Sequence, residues 1–307
     1  MRERTWRPGG PVDVAGTLRP HRRGAGDPAW QQAADGAIWR TARTPDGPGT
    51  LRVSVRAGEG VVVGRSFGPG GEWMLETLPE LLGGGDEAAA FHQLMDRLGS
   101  MRHPLVYELA RRHGDLRVGR TSRVFEALVP AVLEQKVVGR EARRAWRWLL
   151  TRYGEPAPGP GPEGMRVFPE PEVWRTIPSW DWHRAGVEGV RARTIINAAP
   201  HAGKFEAATS EEADRLMRSL PGIGVWTSAE TRQRAHGDPD AVSVGDYHIP
   251  SLVGWSLTGA RTDDAGMLGL LAPYRGHRHR VVRLLELGGT RPPARGPRMA
   301  ARDYRSF

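Results

Sequence analysis

Two glycines flanking one apolar residue, in Leu220-Pro221-Gly222-Ile223-Gly224-Val225-Trp226-Thr227, separate two stretches of helical pattern. Pro221 stops the first stretch, and a glycine on each side of Ile223 permits a turn too tight for ordinary side chains. The spacing predicts a hairpin that turns Ile223 into the core and leaves the glycine amides open. Those amides stand at the start of the following helix, whose dipole adds partial positive charge, so backbone alone can hold an anion such as a phosphate. A grip of that kind carries no sequence information. An ordinary αα-hairpin with glycine at its turn has the same signature, and the motif needs its context.

The context is a β-rich beginning followed by a long helical body. Up to about Gly85, short strands alternate with Gly/Pro punctuation: Leu51, Val53 and Val55 face one way, and Val61-Val62-Val63 is an apolar run. From Glu87 the period becomes helical. Phe125, Leu128, Val129, Val132 and Leu133 form one apolar stripe, with Pro130 inside it as a source of a kink or a late start. Ala142, Ala145, Trp146, Leu149 and Tyr153 line a second helix, and the Pro/Gly-rich run from Glu155 to Gly164 reads as a surface linker. Further helices are expected at about 190–199, 210–219, 225–235, 249–258 and 276–287. Thr209 and Glu212 are placed for a capping box, and Leu216, Met217 and Leu220 for the apolar side of that helix. The reading is a mostly α chain with a small β-rich N-terminal domain (α+β): 1–86 β-rich, 87–288 helical, 289–307 a basic tail.

Charge and cysteine content narrow the chemistry. The 44 basic residues exceed the 35 acidic ones to give +9, and only Lys136 and Lys204 are lysines. A polyanionic partner fits such an excess. With no cysteine, thiol nucleophiles, disulfides, iron–sulfur clusters and Cys-based zinc sites are excluded. The histidines lack metal-ligand spacing, and His277-Arg278-His279 reads as a solvated or phosphate-facing helix start. No apolar stretch is long enough to span a membrane, and the N-terminus lacks the apolar core of a secretory signal, so a cytoplasmic monomer is expected.

Two further runs accompany the hairpin: Val132-Leu133-Glu134-Gln135-Lys136-Val137-Val138 upstream and Val244-Gly245-Asp246-Tyr247-His248-Ile249-Pro250 downstream. With these three signals in this order, residues 90 to 288 resemble the helix–hairpin–helix (HhH-GPD) DNA glycosylase superfamily, in its 3-methyladenine DNA glycosylase II (AlkA-like) branch. The β-rich segment is similar to that branch in layout only. The resemblance implies a bacterial, nucleoid-associated enzyme of base-excision repair acting on double-stranded DNA with a damaged base flipped out of the helix. It implies no catalytic cofactor, only a structural Na+ or K+ at the hairpin carbonyls of Leu220 and Gly222.

Residue by residue, the resemblance makes Asp246 the catalytic carboxylate. Gly222, Gly224, the amides of Val225 and Trp226, and Thr227 would contact the DNA, the hairpin amides clasping a phosphate. Gln135 would approach the minor groove and Lys136 fill the gap left by the flipped base, although the family commonly has Gln or an apolar wedge there; Glu134 stands where a small residue is usual. His248 is read as orienting the Asp246 loop and, with Arg275, as a DNA contact. Lyase-competent members carry a lysine at the position of Trp226, so the chain reads as monofunctional.

These residues also make chemical sense on their own. Breaking an N-glycosidic bond builds positive charge on the sugar, which a fixed carboxylate stabilises. Asp246 would equally serve as a helix N-cap before Ile249. Trp226, Trp182 and Tyr274 are candidates for aromatic walls of a base pocket, each also able to be plain core. Such walls suit cationic alkylated purines, whereas a neutral base needs a proton donor, for which a desolvated Glu134 is the candidate. The competing reading is a non-catalytic DNA-binding module of a repair assembly, with Asp246 only a cap; a third is a glycosylase for a neutral lesion such as hypoxanthine or uracil.

Overall fold

The computed structural model describes residues 1–293, and most of the expected basic tail lies outside the described residues. Five strands, β1 (Arg2–Trp6), β2 (Trp30–Gln32), β3 (Ile38–Thr44), β4 (Gly47–Arg56) and β5 (Val61–Phe67), form one antiparallel sheet in the order β1-β5-β4-β3-β2. Leu51 and Val53 of β4 are buried, as alternation requires, while Val55 is 54% exposed where the strand runs past its cover. The short Val14–Leu18, Gly71–Glu76 and Leu78–Leu81 helices close one core against the sheet.

The helical body holds two more cores. One surrounds the Val124–Leu133 helix, whose residues are all buried except the half-buried Glu126. The expected single stripe is therefore a helix covered on every side, as its high apolar content allows. Its one acidic residue, Glu126, faces the sheet, accepting from Arg43 N (3.1 Å) and pairing with the buried Arg40 (3.4 Å). The other core gathers the Pro104–Arg112, Ile249–Thr258 and Arg278–Gly288 helices. Thr209 and Glu212 form the capping box that starts the Ser210–Arg218 helix; Met217 is fully buried, and Leu216 points to solvent. In the run after Tyr153, Glu155–Pro156 (β6) pairs with Arg166–Val167 (β7), and Gly159 packs against Phe67 of the sheet. Among the described residues, no helix is long and apolar enough to cross a membrane.

Candidate active site where three cores meet

The hairpin forms as its glycines dictate. Gly222 has φ +91°, and a Cβ there would stand 2.1 Å from Thr194 Oγ1, so only glycine fits the turn. Ile223 is buried, and its N–H closes the turn on Leu220 O (3.2 Å). Gly224 is the N-cap of the Val225–Ala235 helix and supplies no side chain to its first amides, while Val225 is exposed beside them.

Two of the expected DNA contacts lie elsewhere. Gln135 turns inward and donates to Gly222 O (2.9 Å) and Thr227 Oγ1 (2.8 Å), bracing the hairpin rather than reaching toward a groove. Thr227 is buried behind the turn. Both carbonyls assigned to a monovalent cation already accept an N–H, Leu220 O from Ile223 and Gly222 O from Gln135. Each oxygen keeps a second lone pair, and no step below uses a cation. Lys136 is exposed with φ +54°, a left-handed turn that projects it beside the hairpin.

Asp246 is held at both oxygens. Oδ1 accepts from His248 N (2.7 Å) and Ile249 N (2.9 Å), capping the Ile249–Thr258 helix, and Oδ2 accepts from Trp226 Nε1 (3.0 Å). His248 thus orients the carboxylate through its backbone. The neighbouring Tyr247 is 88% exposed, an aromatic beside the carboxylate that the sequence reading quoted without assigning a role.

Asp246 lines a cavity of about 330 Å3. Two helix faces form its walls: Trp226, Glu230, Gln233 and Arg234 on one, His279, Val282, Arg283 and Glu286 on the other. Each set repeats at i, i+3 or i+4, and i+7, the spacing of one helix side. Thr17, Pro20 and His21 of the β-rich region close a third side. All three cores therefore contribute, the kind of junction at which ligand sites form.

Most charges in this cavity are paired. Glu134 pairs with Arg23 (3.0 Å), Glu230 with Arg234 (2.8 Å), and Glu286 with Arg283. Asp246 alone among the lining carboxylates faces no arginine in the described residues. Burial pushes the Glu230 carboxyl up, but Arg234 and the Ser243 hydroxyl outweigh it and hold the group below its usual range. Burial lowers His279 to about 3, aided by Arg283, and takes His21 well below the usual imidazole value, aided by Arg40 and Arg234.

Several expected pocket residues are elsewhere. Trp182 is buried against Trp174 and edges a separate apolar groove with Ile177, Val187 and Ile196. Tyr274 is core, its hydroxyl accepting from His103 N (2.9 Å), and Arg275 beside it is exposed. His277 and His279 are each 8% exposed, so the helix start expected in solvent is covered. Glu134 does line the cavity, with its Oε1 accepting from Arg23. Trp226 is the sole Trp, Tyr or Phe lining the cavity among the described residues, and aromatic walls are replaced by imidazoles and ion pairs.

Comparison with known proteins agrees on the fold. A 3-methyladenine DNA glycosylase from Archaeoglobus fulgidus matches with TM-score 0.75 at 18% identity, covering 92% of this chain and 97% of its own. An 8-oxoguanine glycosylase/lyase from Clostridium acetobutylicum matches with TM-score 0.70 at 11% identity, covering 93% and 96%. In sequence, a bifunctional transcriptional activator/DNA repair enzyme AlkA of Mycobacterium tuberculosis is 30% identical over 138 residues, 43% of this chain. The chain spans 27% of that relative's length. No protein-family model matches the chain.

Proposed function

From a chain with the fold of the helix–hairpin–helix DNA glycosylases, we propose a DNA-repair enzyme that hydrolyses the N-glycosidic bond of a damaged base in double-stranded DNA. The single observation that carries this reading is Asp246: a cavity-lining carboxylate without an arginine partner among the described residues, fixed by three N–H donors. Flipping brings the base into the cavity and C1′ toward Asp246. As the C1′–N bond breaks, its electron pair leaves with the base and the sugar becomes cationic. A carboxylate about 4 Å away at an effective dielectric of 20 stabilises that cation by about 4 kcal/mol, roughly a thousandfold in rate. The same carboxylate orients the water whose oxygen then bonds to C1′.

The DNA grip falls to the uncapped start of the Val225–Ala235 helix, which receives a phosphate, and to Lys136, which enters the gap left by the base. Trp226 leaves no amine at the Schiff-base position, so the chemistry is hydrolysis without strand cleavage. The expected preference for cationic alkylpurines rested on aromatic walls that the cavity lacks; the base is argued below.

The helix cap made by Asp246 also favours the second reading, a binding module without catalysis. Incubation with duplexes carrying single defined lesions, then alkali, separates the two. The enzyme gives strand breaks that need both protein and alkali, whereas a binding module gives none.

A further inference from the structure

Three histidines line the cavity: His248 is exposed beside Asp246, and the other two, His21 and His279, are uncommitted. His21 comes from the β-rich region and His279 from the Arg278–Gly288 helix, and neither ring has a hydrogen-bond partner among the described residues. The neighbouring polar groups on the Val225–Ala235 helix are spent: Gln233 on Ala241 O (2.8 Å) and Ser243 Oγ (2.9 Å), and Glu230 on Ser243 and Arg234. Thr17, on the same wall, also keeps a buried hydroxyl without a partner. Two cavity-lining rings without a protein partner, beside a buried hydroxyl without one, point to a ligand that matches them.

Resting on the glycosylase reading, we propose that the cavity takes a flipped base that is neutral and carries a lactam edge, an oxidised or deaminated base, with His21 and His279 reading that edge. A neutral imidazole offers one N–H donor and one bare nitrogen acceptor, and its tautomer adjusts to what it meets. A lactam presents the complement, C=O beside N–H. The electrostatics select in the same direction. Burial and nearby arginines oppose positive charge on these rings, and a cationic base entering the same space meets the same opposition. A neutral base, by contrast, departs as an anion: the C1′–N electron pair stays on the base nitrogen, and water supplies the proton afterwards.

The test is single-turnover release from otherwise identical duplexes containing hypoxanthine, 8-oxoguanine, 7-methylguanine or 3-methyladenine, for wild type, His279→Phe and His279→Asn. The expected result is that at least one lactam base is released faster, over its spontaneous loss, than either cationic base. His279→Phe then slows release of the neutral lactam bases tenfold or more and leaves any release of 3-methyladenine, which has no lactam, within twofold. His279→Asn, which restores a donor and an acceptor, recovers part of the loss and shows that the Phe variant did not simply fail to fold. Hypoxanthine against 8-oxoguanine decides between deaminated and oxidised bases. Faster release of the cationic bases, or equal loss for both classes in His279→Phe without recovery in His279→Asn, overturns the proposal and leaves the glycosylase reading standing. No release of any of the four overturns both.

Discussion

The indole N–H of Trp226 donates to Asp246 Oδ2 at 3.0 Å, tying the first turn of the hairpin's helix to the carboxylate that caps the Ile249–Thr258 helix. The grip on the backbone and the chemistry on the sugar are therefore coupled through one hydrogen bond. Trp226 acts as a positioning residue. Trp226→Phe keeps an aromatic surface but deletes the donor, a change worth about 1 kcal/mol. Base release is expected to slow about fivefold while affinity for an abasic-site duplex stays within twofold. An unchanged rate would show that the backbone amides of His248 and Ile249 suffice to hold Asp246.

Gly222→Ala forces a Cβ against Thr194 Oγ1 at a left-handed turn, with strain of about 1–3 kcal/mol. Duplex affinity should fall by a similar factor for damaged and undamaged DNA of any sequence, because the hairpin holds phosphate and not bases. Sequence-dependent loss in a binding titration would contradict that role.

Borohydride added during turnover should trap no protein–DNA adduct, since position 226 offers no amine. Lys136, exposed on the turn braced to the hairpin by Gln135, is the side-chain amine nearest the grip. An adduct that vanishes in Lys136→Ala would make Lys136 a nucleophile and end the hydrolysis-only account.

Acid should destabilise the fold through the cavity imidazoles. The His279 pKa is about 3 in the folded chain and near the ordinary 6.5 when unfolded, so the unfolded state binds the proton first. The stability contributed by the neutral ring is complete above pH 6.5 and lost as pH falls toward 3; between pH 7 and 5 the loss is about 2 kcal/mol. Denaturant unfolding at both pH values should show a drop that His279→Phe reduces. Equal pH dependence in the two proteins would mean that His279 is protonated in the folded state.

Local spacing made much of this fold legible. The capping box at Thr209 and Glu212 and the turn at Gly222 are set by neighbours a few residues away, and the sequence read both correctly. Short helices such as Pro171–Thr176 and Asp264–Leu271 escaped because so few turns show no clear period. The candidate site divides along the same line. Asp246 and Trp226 stood out through two short runs, 220–227 and 244–250, but the cavity walls are made by long-range packing. His21 reaches the cavity only because the β-rich region folds over the helical body, and His279 looks like a surface residue in an Arg-rich run until Phe91 and the Pro239 loop cover that helix start. Tyr274 and Trp182 were misplaced for the converse reason: an aromatic's type gives its need for burial, not which core receives it.

The central claim is that the Asp246 carboxylate drives bond cleavage, and the most direct measurement is single-turnover base release by Asp246→Asn beside its affinity for an abasic-site duplex. The substitution removes the charge at nearly constant shape; one amide oxygen can still accept from His248 N and Ile249 N, while the NH2 faces the Trp226 indole. The account predicts a fall in rate of roughly a thousandfold with binding and cooperative unfolding close to wild type. Release retained at more than about a tenth of the wild-type rate, in a folded protein that binds DNA normally, would contradict it and leave Asp246 as a helix cap.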